Sequence, residues 1–101
     1  MTQPADIYQK WISKDGIQPE VDVGDVEKVL RHFGFHIKPG KKHKFKITHE
    51  KFKGMDLALA GLRNEYVIPT KKGRWVVKRY IKVILRYIDL LDRGTYEDQI
   101  S

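Results

Sequence analysis

Apolar residues recur every three or four positions in three segments of the chain, which is the spacing of one helix face. A first helix is predicted over roughly 4–13, with a face made of Ile7, Tyr8, Trp11 and Ile12. A second is predicted from Asp22 or Asp25 to His32, with apolar positions at Val26, Val29, Leu30 and Phe33. The third and clearest follows a basic turn, and its stripe consists of Val77, Tyr80, Ile81, Ile84, Leu85, Ile88 and Leu91. Gly34 and Gly94 are placed to end the second and third helices.

Between these helices the pattern changes to the alternation that is typical of strands. Phe35 and Ile37 alternate with polar residues, as do Phe45 and Ile47, and a turn separates the two runs. A third strand is predicted at about Glu65–Pro69. Because proline cannot donate to a strand ladder, Pro69 marks the end of this strand or an edge of the sheet. The order helix, strand, strand, strand, helix predicts an α+β two-layer fold. Helices would pack on one face of a three-stranded antiparallel sheet, after an N-terminal helical extension.

The turn at Pro39-Gly40 fixes which side chains share a sheet face, because residues opposite each other in an antiparallel pair lie on the same face. A loop with an odd number of residues, 39–41 or 38–42, sets Ile37 opposite His43 and Phe35 opposite Phe45. We therefore expect His43 to pack inward beside Ile37. The solvent face would carry His36, Lys38, Lys42, Lys44 and Lys46.

The length of 101 residues fits one domain, which we expect over 21–94, with an extension at 1–20 and a tail at 95–101. Within 49–64, Leu57, Leu59 and Leu62 fit either a short helix or a packed loop. The chain has no cysteine, which excludes a disulfide scaffold and a cysteine zinc site. No His/Asp/Glu cluster has metal-ligand spacing, so we expect no metal and no cofactor. Without a long apolar run or a secretory signal, we expect no membrane contact and a cytoplasmic protein.

Positive charge is concentrated in two blocks of the sequence. The chain carries 20 Lys and Arg against 13 Asp and Glu, a net charge of +7. Residues 38–53 carry seven lysines and one acid, and residues 71–86 carry seven cations and no acid. Both ends are acidic, at −3 for 1–30 and −3 for 87–101. Such concentration indicates a nucleic-acid-binding protein, although a solvated lysine-rich surface gives the same count.

Four stretches resemble the HicA toxin family in their order and spacing. They are Leu30–Phe35, Gly40–Phe45, Tyr66–Pro69 and Gly73–Tyr80, so the resemblance covers about 25–48 and 65–92. It implies a double-stranded-RNA-binding-domain-like fold and a ribosome-independent RNA endonuclease that a HicB antitoxin neutralises. The partners it implies are RNA and an acidic antitoxin-like protein.

The family's catalytic histidine follows a glycine and a small polar residue. An alignment without a gap puts Lys42 at that position and His43 one place later. If the strand parity holds, His43 is packed, and the protein binds RNA with weak or absent cleavage. If a one-residue bulge turns His43 outward, its imidazole can act as general acid or base near neutral pH. Lys42 would then stabilise charge on the phosphoryl oxygens.

Further candidate RNA contacts come from both basic blocks. They are Lys41, Lys44, Lys46, Arg74, Trp75, Lys78, Arg79, Lys82 and Arg86. Trp75 is suited to stack on a base or to cover the core. His32 and His49 have no convergent partner and are interpreted as structural. Two other functions stay open: a non-catalytic RNA-binding module, and a protein-interaction domain whose basic faces dock an acidic partner. The acidic ends of the chain would mimic that partner by folding back.

Overall fold

The computed structural model of the chain describes residues 3–13, 16–40, 43–53, 57 and 61–100, with the side chains of the last helix described to Leu91. The helices are α1 (Pro4–Ile12), α2 (Val23–His32) and α3 (Lys78–Ile100). The strands are β1 (Glu20–Asp22), β2 (His36–Pro39), β3 (Lys44–Thr48), β4 (Tyr66–Pro69) and β5 (Trp75–Val77). The predicted α+β class is confirmed, as is the three-stranded antiparallel sheet, whose order is β2-β3-β4.

The first two helices form where the apolar spacing predicts them. Pro4 opens α1, and Ile7 and Trp11 are buried, whereas Ile12 at its end is 50% exposed and does not share the buried face. Asp22 is the cap of α2, and its carboxylate accepts a hydrogen bond from the Gly24 amide at 2.8 Å. Of the two aspartates considered as caps, Asp22 is therefore the one used.

The register predicted for the β2–β3 hairpin is wrong, although its parity is right. Ile37 lies opposite Ile47 rather than His43, and Pro39 rather than Phe35 lies opposite Phe45. Five residues separate the paired Pro39 and Phe45, and the Gly40 amide donates to the Lys44 carbonyl at 2.8 Å. Any loop with an odd number of residues keeps the apolar residues of both strands on one sheet face. The apolar pattern therefore fits the observed register as well as the predicted one.

A second, two-stranded sheet was not predicted. It pairs β1 with β5, and Val21 lies opposite Val76, both buried. Each strand has three residues, too short a run to show alternation. Glu20 and Asp22 on β1 form ion pairs with Lys71 (2.8 Å) and Arg74 (3.8 Å) in the turn before β5. The acidic N-terminal part of the chain therefore does contact the second basic block.

Helix α3 supplies the largest part of the core. Ile81, Ile84, Ile88 and Leu91 are buried, as the stripe predicts, whereas Tyr80 is only partly buried and Val77 belongs to β5. The predicted end at Gly94 is wrong, because α3 continues to Ile100. A glycine inside a helix costs only about 1 kcal/mol, which its neighbours on both sides can offset.

Tyr87 is a core residue that the apolar stripe does not include. It is 1% exposed, and its hydroxyl donates to the Arg63 carbonyl at 2.8 Å and accepts from the Arg63 amide at 3.1 Å. Burial raises the pKa of Tyr87 above its ordinary value, as it does the pKa of Tyr66. These hydrogen bonds fix the chain before β4 against α3.

The connection between β3 and β4 is only partly described. A single 3-10 turn, Glu50–Phe52, follows β3, and Phe52, Leu57 and Leu62 are buried. Leu59, considered above for the same packing, lies outside the described residues. Within the described part of the chain, no helix is long and apolar enough to cross a membrane.

Candidate nucleic-acid interface

The fold separates the helical cations of the second basic block from the outward lysines of the sheet. The inner face of the sheet carries Ile47 and Ile68, which are buried in one core with Ile84 of α3. Lys82 and Arg86 are each two residues, about 200°, from Ile84, so they point away from the sheet. The outward lysines of the strands point away from α3, because successive strand side chains alternate between faces. The second block's helical cations and the strand lysines therefore do not form one surface.

Three lysines share the outer face of the sheet. Lys38 on β2 lies directly opposite Lys46 on β3, and Lys44 lies opposite Pro69 of β4. All three lysines are exposed. Like charges directly opposite each other destabilise a sheet. Among the described residues, neither Lys38 nor Lys46 has an acidic partner, so their repulsion would be relieved by a bound anion.

His43 does not occupy the packed position that parity predicted for it. Its backbone is left-handed, with φ of 58°, and its side chain is exposed. The Thr70 amide and hydroxyl both donate to the His43 carbonyl, at 2.7 and 2.6 Å. A left-handed residue interrupts the alternation of side chains along a strand. The prediction that His43 lies on the same sheet face as Phe45 is wrong for this reason. Thr70 holds this conformation by joining the hairpin loop to the end of β4.

A second tight turn lies beside the hairpin loop. Lys72 and Gly73 have φ of 54° and 69°, and a Cβ on Gly73 would stand 3.0 Å from Nδ1 of His43. The exposed Lys72 and the paired Lys71 therefore lie at the same end of the sheet as His43. We call this end the basic tip, defined by His43, Lys44, Thr70, Lys71, Lys72 and Gly73. Lys41 and Lys42, both predicted site residues, lie outside the described residues.

Four other predicted contacts lie away from the tip or are engaged. The Arg74 guanidinium lies 5.0 Å from the centre of the Trp75 ring, and Trp75 is half-buried against α1. This favours Trp75 as a cover of the core over a base-stacking platform. Lys78 is half-buried, and its amide donates to the Pro19 carbonyl at 3.0 Å. Arg79 lies over the Tyr80 ring at 4.9 Å on the helical side.

A cleft opens beside His43 between α2 and the hairpin. Its volume is about 250 Å³. Its floor is apolar, and its polar lining residues are Glu27, Arg31, His43, Lys44 and Thr70. His43 therefore faces a concave site that holds two cations and one carboxylate, rather than open solvent alone.

A larger cleft of about 490 Å³ lies along β2. Its polar lining residues are Arg31, His36, Lys38, Thr48, His49, Glu50 and Lys53. Arg31 and Ile37 line both clefts, so the two adjoin. His36 lies 3.7 Å from the Glu50 carboxylate.

His49 has a structural role. Its Nδ1 accepts from the Lys51 amide at 3.1 Å, so its Nε2 carries the hydrogen and donates to the Phe33 carbonyl at 2.8 Å. Both ring nitrogens are thereby used by the backbone. Within the described ranges, no group of three His, Cys, Asp or Glu residues is placed to hold a metal ion.

No protein-family model, curated protein or solved structure matches this chain. The resemblance to HicA toxins therefore rests on the four sequence stretches alone.

The left-handed backbone of His43 predicts the order of stability of two variants. A residue other than glycine costs about 1–2 kcal/mol in this conformation. We expect His43→Gly to be more stable than His43→Ala by about 1 kcal/mol, measured by urea unfolding. At a packed strand position the order would be reversed, because glycine is the less stable residue there by about 0.5–1 kcal/mol. That reversed order would contradict the geometry of the tip.

Proposed function

We propose that this protein binds RNA through the outer face of the three-stranded sheet and the basic tip. The observation that carries the proposal is the pair Lys38 and Lys46, placed directly opposite each other with no acidic partner among the described residues. Phosphate groups are the polyvalent anions that would bridge such a pair. The alternative explanation is that a lysine on an edge strand only prevents aggregation, and it applies to Lys38 on β2 but not to Lys46 on the central strand.

The basic tip extends this surface beyond the strands. Lys44 continues the row of outward lysines, and the exposed Lys72 lies in the neighbouring turn, which Thr70 joins to the hairpin loop. Lys71 is paired with Glu20, but the side chain of Lys71 is 63% exposed. An exposed pair of this kind contributes about 0–1 kcal/mol, so phosphate can displace the carboxylate. The tip thus offers further phosphate contacts at the end of the sheet.

The resemblance to HicA toxins favours RNA as the nucleic acid and an acidic antitoxin-like protein as a second partner. The ion pairs of Glu20 with Lys71 and of Asp22 with Arg74 show that carboxylates already pair with cations of the second basic block. An acidic protein would use the same chemistry and would compete with RNA for the surface.

Charge reversal on the two sides of the molecule tests RNA binding. We expect Lys38→Glu with Lys46→Glu to weaken RNA binding at least tenfold at 100 mM salt, measured by fluorescence anisotropy. Loss of two phosphate contacts should also reduce the slope of log K against log salt by about 1.4, at about 0.7 per contact for a single strand.

The matched control is Arg79→Glu with Lys82→Glu, which makes the same charge change on the outer side of α3. We expect this control to lose much less affinity than the sheet variant. Equal losses would mean that net charge alone drives binding, and a greater loss in the control would place the interface on α3. Thermal melting of both variants checks that neither has unfolded.

RNA cleavage is a second candidate function, and the conformation of His43 favours it. Left-handed residues other than glycine cluster at functional sites, and His43 is exposed beside Arg31 and Lys44 in a cleft. In the reaction, the 2′-hydroxyl attacks the adjacent phosphorus and the bond to the 5′-oxygen breaks, which leaves a 2′,3′-cyclic phosphate. His43 would accept the hydroxyl proton, and the leaving oxygen would take a proton from His43 or water.

The cleavage proposal predicts a loss of activity without a loss of binding. We expect the purified protein to cut RNA in EDTA, and His43→Gln to lower the cleavage rate by about 10²–10⁴ while RNA affinity changes little. His36→Gln is the control, because His36 lies in the other cleft beside Glu50. Cleavage that survives in His43→Gln would assign the chemistry elsewhere.

A further inference from the structure

We infer that a single strand of RNA follows a groove between α2 and the open edge of β2, from the basic tip to the cleft beside His36. The inference rests on the proposed RNA binding and adds the path and the strandedness of the substrate. β2 is the first strand in the order β2-β3-β4, so among the described residues no strand pairs with its outer edge. The groove follows that edge.

The two clefts described above form one groove because they share lining residues. Arg31 reaches both clefts from the last turn of α2, and Ile37 lines both from the middle of β2. His43 lies at one end of the groove and His36 at the other. A strand of four residues is about 13 Å long. The groove along this strand therefore accommodates a short stretch of single-stranded RNA.

The lining of the groove matches a nucleotide chain rather than a small anion. Four cationic residues line the rim of the groove: Arg31, Lys38, Lys44 and Lys53. Two carboxylates, Glu27 and Glu50, also line it. Of these two carboxylates, Glu50 already lies 3.7 Å from the His36 imidazole. The exposed apolar surface of the floor comes from Ile37, which is partly exposed, and from Pro39, and it offers contact to the faces of bases. The rim therefore provides phosphate contacts, and the floor provides base contacts.

Only unpaired bases can use such a floor. In a duplex the faces of the bases are stacked inside the helix, and duplex RNA presents mainly phosphates and 2′-hydroxyls to a protein. A duplex would instead meet mainly the outward lysines of the sheet, such as Lys46, which does not line either cleft.

The test compares one fluorescein-labelled RNA of twelve nucleotides as a single strand and as a duplex, by anisotropy at fixed salt. We expect the single strand to bind at least tenfold more tightly than the duplex. Arg31→Ala with Lys53→Ala should weaken binding of the single strand about tenfold, by loss of two charged contacts, and should change duplex binding little.

The controls separate this inference from the proposed function. Lys82→Ala with Arg79→Ala, on the outer side of α3, should leave both affinities nearly unchanged. If the wild-type protein binds the duplex as tightly as the single strand, or if Arg31→Ala with Lys53→Ala leaves single-strand binding unchanged, the groove is not the path. RNA binding through the sheet would still stand in that case. If the wild-type protein binds neither RNA, both the groove and the proposed function are wrong.

Discussion

Burial of the α3 stripe against the inner face of the sheet is the constraint on which the rest of the structure depends. Ile81, Ile84 and Ile88 are fully buried there, in one core with Ile47 and Ile68 of the strands. Burying side chains of this size contributes about 1.5–3 kcal/mol each, more than any exposed ion pair in the molecule. Once this face is buried, every charged residue of α3 and of the strands must point to one of two opposite outer sides.

This constraint decides how the basic charge can be used. Along the sequence the two basic blocks look like parts of one surface, but α3 presents Lys82 on one side and the sheet presents Lys38 and Lys46 on the other. The turn before β5 is the exception, because Thr70 holds it against His43 at the end of the sheet. The candidate interface therefore combines the first block with the start of the second, and it leaves out the helical cations.

The sequence predicts those features that follow from repeated local patterns. The helices, the inward faces of β2 and β3 and the parity of the hairpin follow from the spacing of apolar residues such as Ile37, Phe45 and Ile84. The register does not follow, because loops with any odd number of residues satisfy the same parity. The position of His43 depends on a left-handed backbone held by Thr70, a residue 27 positions away. Tyr87 is buried through a hydrogen bond to the backbone of Arg63, which has no counterpart in an apolar pattern.

The most direct test of the central claim is a residue-resolved map of where RNA binds. Amide signals in ¹H–¹⁵N correlation spectra would be followed while a single-stranded RNA is added to the labelled protein. The account predicts shifts concentrated in β2, in β3 and around Thr70–Gly73, with the signals of Lys82 and Arg86 nearly unmoved. Shifts concentrated on the outer side of α3, with β2 and β3 unaffected, would contradict it.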